Sequence, residues 1–135
     1  MLMKILLVED SRILRDRLRG IINGIPDSIL VAASDNEDDA RFQLEKHRPD
    51  LAVIDLRLKR GSGLSVIAHI KAMQPATVMI VLTNLAQAEY RASCMKLGAH
   101  YFFDKSKDIA AFTQLLTDLC RGSAVRAEPC KTCSP

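Results

Sequence analysis

The sequence predicts an α/β fold, a doubly wound five-stranded parallel sheet with five helices. Three observations predict it. Five short apolar runs recur within about 120 residues. They lack the polar alternation of a sheet with one wet face, so both faces are covered. Between the runs, apolar residues fall at helical spacing, and turn or capping residues separate the two patterns. Such alternation builds a parallel sheet with helices on both faces and right-handed connections.

The first strand is the run over residues 3–8. Glu9-Asp10-Ser11 follows, and Asp10 or Ser11 caps the next helix. That helix places Leu14, Leu18, Ile21 and Ile22 on one side and ends at Asn23-Gly24-Ile25-Pro26. Its arginines, Arg12, Arg15, Arg17 and Arg19, read as a solvated face, with partner docking as a lesser role. Residues 29–33 form the second strand. Ser34-Asp35-Asn36-Glu37 then has the form of a capping box. The helix behind it carries Ala40, Leu44 and His47 and stops before Pro49.

The third strand, Leu51-Ala52-Val53-Ile54-Asp55-Leu56, holds an acid near its end. Gly61-Ser62-Gly63 marks a loop, and Leu64, Ile67, Ile70 and Met73 stripe the third helix. Residues 77–82 form a β-branched fourth strand closed by Thr83-Asn84. The fourth helix, over 86–97, is poorly anchored, with Ala86, Ala88 and Ala92 among its apolar positions and Gly98 after its end. Tyr101-Phe102-Phe103 is the fifth strand. Ser106 caps a last helix lined by Ile109, Phe112, Leu115, Leu116 and Leu119.

At 135 residues, one domain with a real core is expected. A hydrophobic fraction of 48% excludes a disordered chain. With 4% aromatic residues and no Trp, the core should be Ile, Leu, Val, Ala and Met. A net charge of +3 does not argue for nucleic acid, which needs a clustered basic face. The amino-terminal apolar run is too short for a signal peptide, and no run approaches a membrane span, which points to the cytoplasm and reduced thiols. Residues 1–121 read as the domain and 122–135 as a flexible tail. Within that tail Cys130-Lys131-Thr132-Cys133 supplies too few ligands for zinc and is read as inert. His47, His69 and His100 are scattered and receive no role.

The strand ends carry the chemistry. Glu9 and Asp10 end the first strand, Asp55 the third and Thr83 the fourth; Lys105 lies just past the fifth. In a parallel sheet these ends share one edge, where open α/β sheets place their sites. Three carboxylates there repel unless a cation joins them, and oxygen donors of this kind suit Mg²⁺. Lys105 offers a point charge to a phosphate oxygen and Thr83 a hydroxyl donor. Together they fit phosphoryl transfer, with the central acid Asp55 as nucleophile forming an aspartyl phosphate.

Val8-Glu9-Asp10, Pro49-Asp50-Leu51 leading to Asp55-Leu56, Gly61-Ser62-Gly63, Thr83, Gly98-Ala99 and Lys105 together resemble the receiver domain of bacterial response regulators, over residues 3 to about 120. The resemblance implies a flavodoxin-like, chemotaxis-regulator-like fold with strand order 2-1-3-4-5. It implies that Asp55 accepts a phosphoryl group from a sensor histidine kinase or phosphotransfer protein. It further implies that Glu9, Asp10, Asp55 and the backbone carbonyl of Arg57 hold Mg²⁺, and that Lys105 and Thr83 bind phosphoryl oxygens. Thr83 and Phe102 would form the switch, altering the face of the fourth helix, fifth strand and fifth helix. That face would bind an output partner or a second copy, with no nucleic acid and no membrane. The protein would be no turnover enzyme.

The sequence departs from the pattern at four positions. Lys59 stands where proline is usual, which predicts a looser loop after Asp55. Arg57 and Asn84 flank the reactive centre, and Phe102 lacks a tyrosine hydroxyl. A competing reading is the receiver portion of a longer DNA-binding regulator. An aspartate-nucleophile phosphatase would need an acid at position 57, where Arg57 stands. A flavin protein would need a phosphate-cradling loop where Glu9 and Asp10 lie.

Overall fold

The ten predicted elements form in the predicted order: β1 (Met3–Val8), α1 (Arg12–Asn23), β2 (Ser28–Ser34), α2 (Glu37–His47), β3 (Leu51–Ile54), α3 (Gly63–Met73), β4 (Val78–Thr83), α4 (Ala88–Leu97), β5 (Tyr101–Asp104) and α5 (Ile109–Cys120). The computed structural model describes residues 2–122. The expected tail lies outside the described residues from position 123, as do Cys130 and Cys133. All strand pairs are parallel, in the order β2-β1-β3-β4-β5. Jumping from β2 across β1 to β3 reverses the direction of winding, which opens a crevice at the strands' carboxyl ends.

Strand periodicity sorts the core into two layers. Ile5, Leu7, Leu51, Val53, Ile80 and Leu82 pack against Leu18 and Ile22 of α1 and Phe112, Leu116 and Leu119 of α5. Leu6, Val8, Ile54, Met79 and Val81 face Ala40 and Leu44 of α2, Val66, Ile67 and Ile70 of α3, and Cys94 of α4. The core is less aliphatic than composition suggests. Tyr101, Phe102, Phe103 and Phe112 are all buried, and the rings of Phe103 and Phe112 meet edge-on with centroids 6.2 Å apart. Three of the six aromatics lie on β5, and Phe112 packs against one of them.

Several local expectations are corrected. The capping box at Ser34 does not form: Asn36 caps α2 by accepting from Asp39 N–H at 2.9 Å, while Ser34 Oγ donates to Asp39 Oδ2. Glu37 turns away to accept from Ser62 N–H at 3.0 Å. Asp108, not Ser106, stands at the start of α5; Ser106 instead bonds Asp104 Oδ1. On α3 the buried stripe is Val66, Ile67 and Ile70, with Leu64 only half-buried and Met73 exposed. Weak anchorage of α4 is real, since Cys94 is its one buried residue and Ala88 and Ala92 are exposed.

The loop after Asp55 is hydrogen-bonded to the connection between β2 and α2. Lys59 N–H donates to the Asp35 carbonyl at 3.2 Å, a bond proline cannot make, and Lys59 Nζ lies 3.5 Å from Asp35 Oδ2. Glu37 N–H donates to the Arg60 carbonyl at 3.0 Å. His100, assigned no role from sequence, ties β4 to the start of β5. Its Nδ1 accepts from Met79 N–H at 3.0 Å, and its backbone N–H donates to the Met79 carbonyl. Burial, aided by the Lys71 charge, lowers the His100 pKa and keeps the ring a neutral acceptor.

Candidate active site at the carboxyl edge of the sheet

Register brings the acids together. Val8 lies opposite Ile54, and the ladder runs one residue further, with Asp55 N–H donating to the Val8 carbonyl at 2.8 Å. Glu9 and Asp55 therefore leave the sheet at the same level on adjacent strands. On the other side, Lys105 N–H donates to the Thr83 carbonyl at 2.9 Å, extending the β4–β5 ladder. The Lys105 stem then crosses above β4 towards β3 and β1.

Glu9 is 1% exposed and Asp55 5%, so neither charge is sustainable without a partner. Lys105 supplies it: Nζ donates to Glu9 Oε1 at 2.7 Å and to Asp55 Oδ2 at 3.0 Å. Glu9 Oε2 accepts from Ser11 N–H at 3.0 Å. Burial pushes the Glu9 carboxyl above its ordinary value; the Lys105 and Ser11 hydrogen bonds oppose this without cancelling it, and the Asp55 charge adds to it. For Lys105, burial pulls the pKa down, but its hydrogen bond to Glu9 and the charges of Asp55 and Glu9 outweigh it, leaving it raised.

Asp10 is half-buried beside this pair. Glu9, Asp10 and Asp55 can each bring one carboxylate oxygen within 4.8 Å of the others. An oxygen-only donor set open to water fits Mg²⁺, which binds through one or two carboxylates and keeps several waters. Thr83 is fully buried, and its Oγ1 accepts from Leu85 N–H at 3.1 Å, which leaves its own hydrogen to donate. A cleft of about 320 Å³ joins these groups, with Leu14 and Leu85 as apolar walls and Arg57 and Asn84 beside them. Phe102 is buried on the α3–α4 side of the sheet, with the Arg91 guanidinium 4.9 Å from its ring centroid.

The candidate site residues Glu9, Asp10, Asp55, Arg57, Thr83 and Lys105 thus line one cleft, while Phe102 lies in the layer beneath. Two contributors were missed. Arg15 is half-buried rather than part of a solvated face, and donates to the backbone carbonyls of Glu9 and Asp10. Its place one helical turn after the cap Ser11 is the signal that could have found it. Gly63 stood in the loop and resemblance motif Gly61-Ser62-Gly63 with no role of its own, yet a methyl group there would overlap the Asp55 carbonyl and sit 2.7 Å from Leu56 Cα.

Comparison with known proteins gives a consistent result. Residues 5–117 match the family described as the response regulator receiver domain. A protein-glutamate methylesterase/protein-glutamine glutaminase of Oleidesulfovibrio alaskensis is 28% identical over 140 aligned positions, covering 99% of this chain and 38% of that protein. The chain spans little more than a third of the curated methylesterases it matches. Among solved structures, a LuxR-family two-component response regulator from Aurantimonas sp. is 25% identical with a TM-score of 0.82, over 90% of this chain and 87% of that one. The response regulator domain of Thermotoga maritima CheB shares the fold, with a TM-score of 0.79 at 21% identity over 91% of this chain and 96% of that one. The family match runs from β1 into α5 and takes in every strand end described above, so the chain belongs to the response regulator receiver domain family of two-component signalling.

Proposed function

We propose that Asp55 is the phosphoacceptor of a phosphorylation-driven switch. The observation that carries this reading is one ammonium, Lys105, bonded to two buried carboxylates beside a buried threonine hydroxyl. An Asp55 oxygen attacks phosphorus as the phosphorus–nitrogen bond of a phosphohistidine breaks, and the electron pair leaves with the imidazole. Lys105 exchanges a carboxylate for a phosphoryl oxygen, and Thr83 donates its hydroxyl to another. Glu9, Asp10, Asp55 and the Arg57 carbonyl would hold Mg²⁺, whose charge offsets that of the phosphoryl oxygens.

Thr83 moving into the cleft would free space near Phe102, which must leave the Arg91 contact to turn outward. Phosphorylation then shifts a population in the α4–β5–α5 face. The donor is a sensor histidine kinase or phosphotransfer protein, and that face receives an output partner or a second copy. Residues 1–121 act as the unit, in the cytoplasm, with no turnover beyond their own phosphoryl transfer and loss. Among the described residues, no helix is long and apolar enough to cross a membrane. The length of the matched relatives favours a second reading, the receiver portion of a longer regulator, which sequencing the gene beyond Pro135 would decide.

A small acyl phosphate with Mg²⁺ is expected to add one phosphoryl mass to the wild type and none to Asp55→Asn, read by intact-mass spectrometry. Equal gain in both, or none in either, rejects the assignment. The raised Glu9 carboxyl adds a pH signature. Protons compete with Mg²⁺ for a carboxylate, so a raised pKa in the metal-free protein makes affinity decline at a higher pH than an ordinary glutamate would. Mg²⁺ titrations across pH should show this decline at a higher pH than a glutamate with the ordinary value of 4.5 would give. A decline no higher in pH than that of an ordinary glutamate contradicts the expectation.

A further inference from the structure

We propose that Arg15 is a positioning residue for the metal acids, an inference that rests on the phosphoacceptor reading above. One guanidinium nitrogen, Nη1, donates to two successive carbonyls of the β1–α1 turn, Glu9 at 3.1 Å and Asp10 at 3.2 Å. The Arg15 backbone N–H donates to the Ser11 carbonyl at 2.8 Å, so the same residue closes the first turn of α1 and reaches back over the two acids. Fixing those carbonyls fixes the peptide planes on either side of Asp10, and with them the direction in which its side chain leaves the backbone. Glu9 has Lys105 and Ser11 to hold its carboxylate. The Asp10 carboxylate has no hydrogen bond among the described residues, so its aim depends on the backbone that Arg15 clamps. Arg12, Arg17 and Arg19 of the same helix are exposed and reach neither carbonyl.

Charge and position predict opposite outcomes here, which makes the role testable. Arg15 is a cation beside a dication site. On Coulomb grounds alone, removing it should tighten Mg²⁺ binding. If its role is to aim Asp10 and Glu9, removing it should weaken binding, as loss of a group that orients metal ligands commonly does.

The experiment is calorimetric titration of Mg²⁺ alone into the 135-residue chain, as wild type, Arg15→Gln, Arg15→Lys and Arg17→Gln, with Tm measured on the metal-free forms. Arg15→Gln is expected to raise the Mg²⁺ Kd about tenfold. Arg15→Lys, which keeps the charge but not the planar fork, should fall between it and the wild type. Arg17→Gln should leave the Kd unchanged or slightly lower. An Arg15→Gln Kd equal to or below the wild-type value overturns the proposal, as does a lowered Tm with unchanged affinity. If Arg15→Gln does not fold, Arg15→Lys decides by the same criterion. Wild type that fails to bind Mg²⁺ rejects the phosphoacceptor reading and this one with it, whereas binding by wild type and variants alike rejects this one alone.

Discussion

Lys105→Met is expected to lower the stability of the metal-free protein by about 3 kcal/mol, because it leaves two buried carboxylates facing each other without a cation. The wild-type ammonium sits 2.7 Å from Glu9 Oε1 and 3.0 Å from Asp55 Oδ2, and each acid is nearly closed to solvent. Replacing the lysine with an apolar chain of similar length keeps the packing of the stem and removes the charge with its two hydrogen bonds. Urea unfolding of wild type and variant, with and without Mg²⁺, measures the effect. The gap should narrow when Mg²⁺ is added, since the ion restores positive charge to the same oxygens. It should also narrow as the pH falls, because the abandoned Glu9 carboxyl, already raised by burial, takes up a proton. A gap below about 1 kcal/mol, the range of exposed ion pairs, or one insensitive to both Mg²⁺ and pH, would contradict the account.

Gly63→Ala should damage the site from beneath. At the start of α3, Gly63 packs against the peptide that carries Asp55, and its N–H donates to the Leu56 carbonyl at 2.9 Å. The added methyl would strike backbone atoms of Asp55 and Leu56, which cannot move aside as a flexible side chain can. Overpacking of this kind costs about 1–3 kcal/mol. The larger effect is on chemistry, since a misplacement of about 1 Å at a reacting group can cost roughly 100-fold in rate. The expected result is a folded protein, somewhat less stable, in which phosphoryl transfer to Asp55 slows by about that factor. Mass spectrometry over a time course gives the rate and thermal unfolding gives the stability. A rate within a factor of two or three of wild type would show that the Asp55 peptide accommodates the methyl group.

Much of this protein was legible in its sequence because the signals were local and repeated. Five apolar runs, too short and too uniformly apolar for anything but doubly covered strands, set the class, and the resemblance supplied the strand order. Glu9, Asp10, Asp55, Thr83 and Lys105 stood out because each ends or follows a strand, and parallel strands place those ends on one edge. Capping was read less well. Ser34, Asn36 and Asp39 are all good polar partners within six residues, and only the path of the chain into α2 decides which of them caps it.

What tertiary structure alone decided was how distant segments share polar groups. Lys59 looked like a loosening substitution because a local rule counts the missing proline. Its N–H and ammonium both bind Asp35, 24 positions away in sequence, and no local rule could see that. Arg15 looked like one of four interchangeable surface charges until the β1–α1 turn brought two carbonyls within reach of it alone. The sequence by itself determined the layered sheet and the identity of the acids at its edge, because hydrophobic periodicity and strand ends are properties of neighbouring residues. Which cation holds those acids, and which glycine and arginine set their aim, depended on contacts between segments far apart in the chain, where packing and hydrogen-bond geometry choose among residues that composition leaves equivalent.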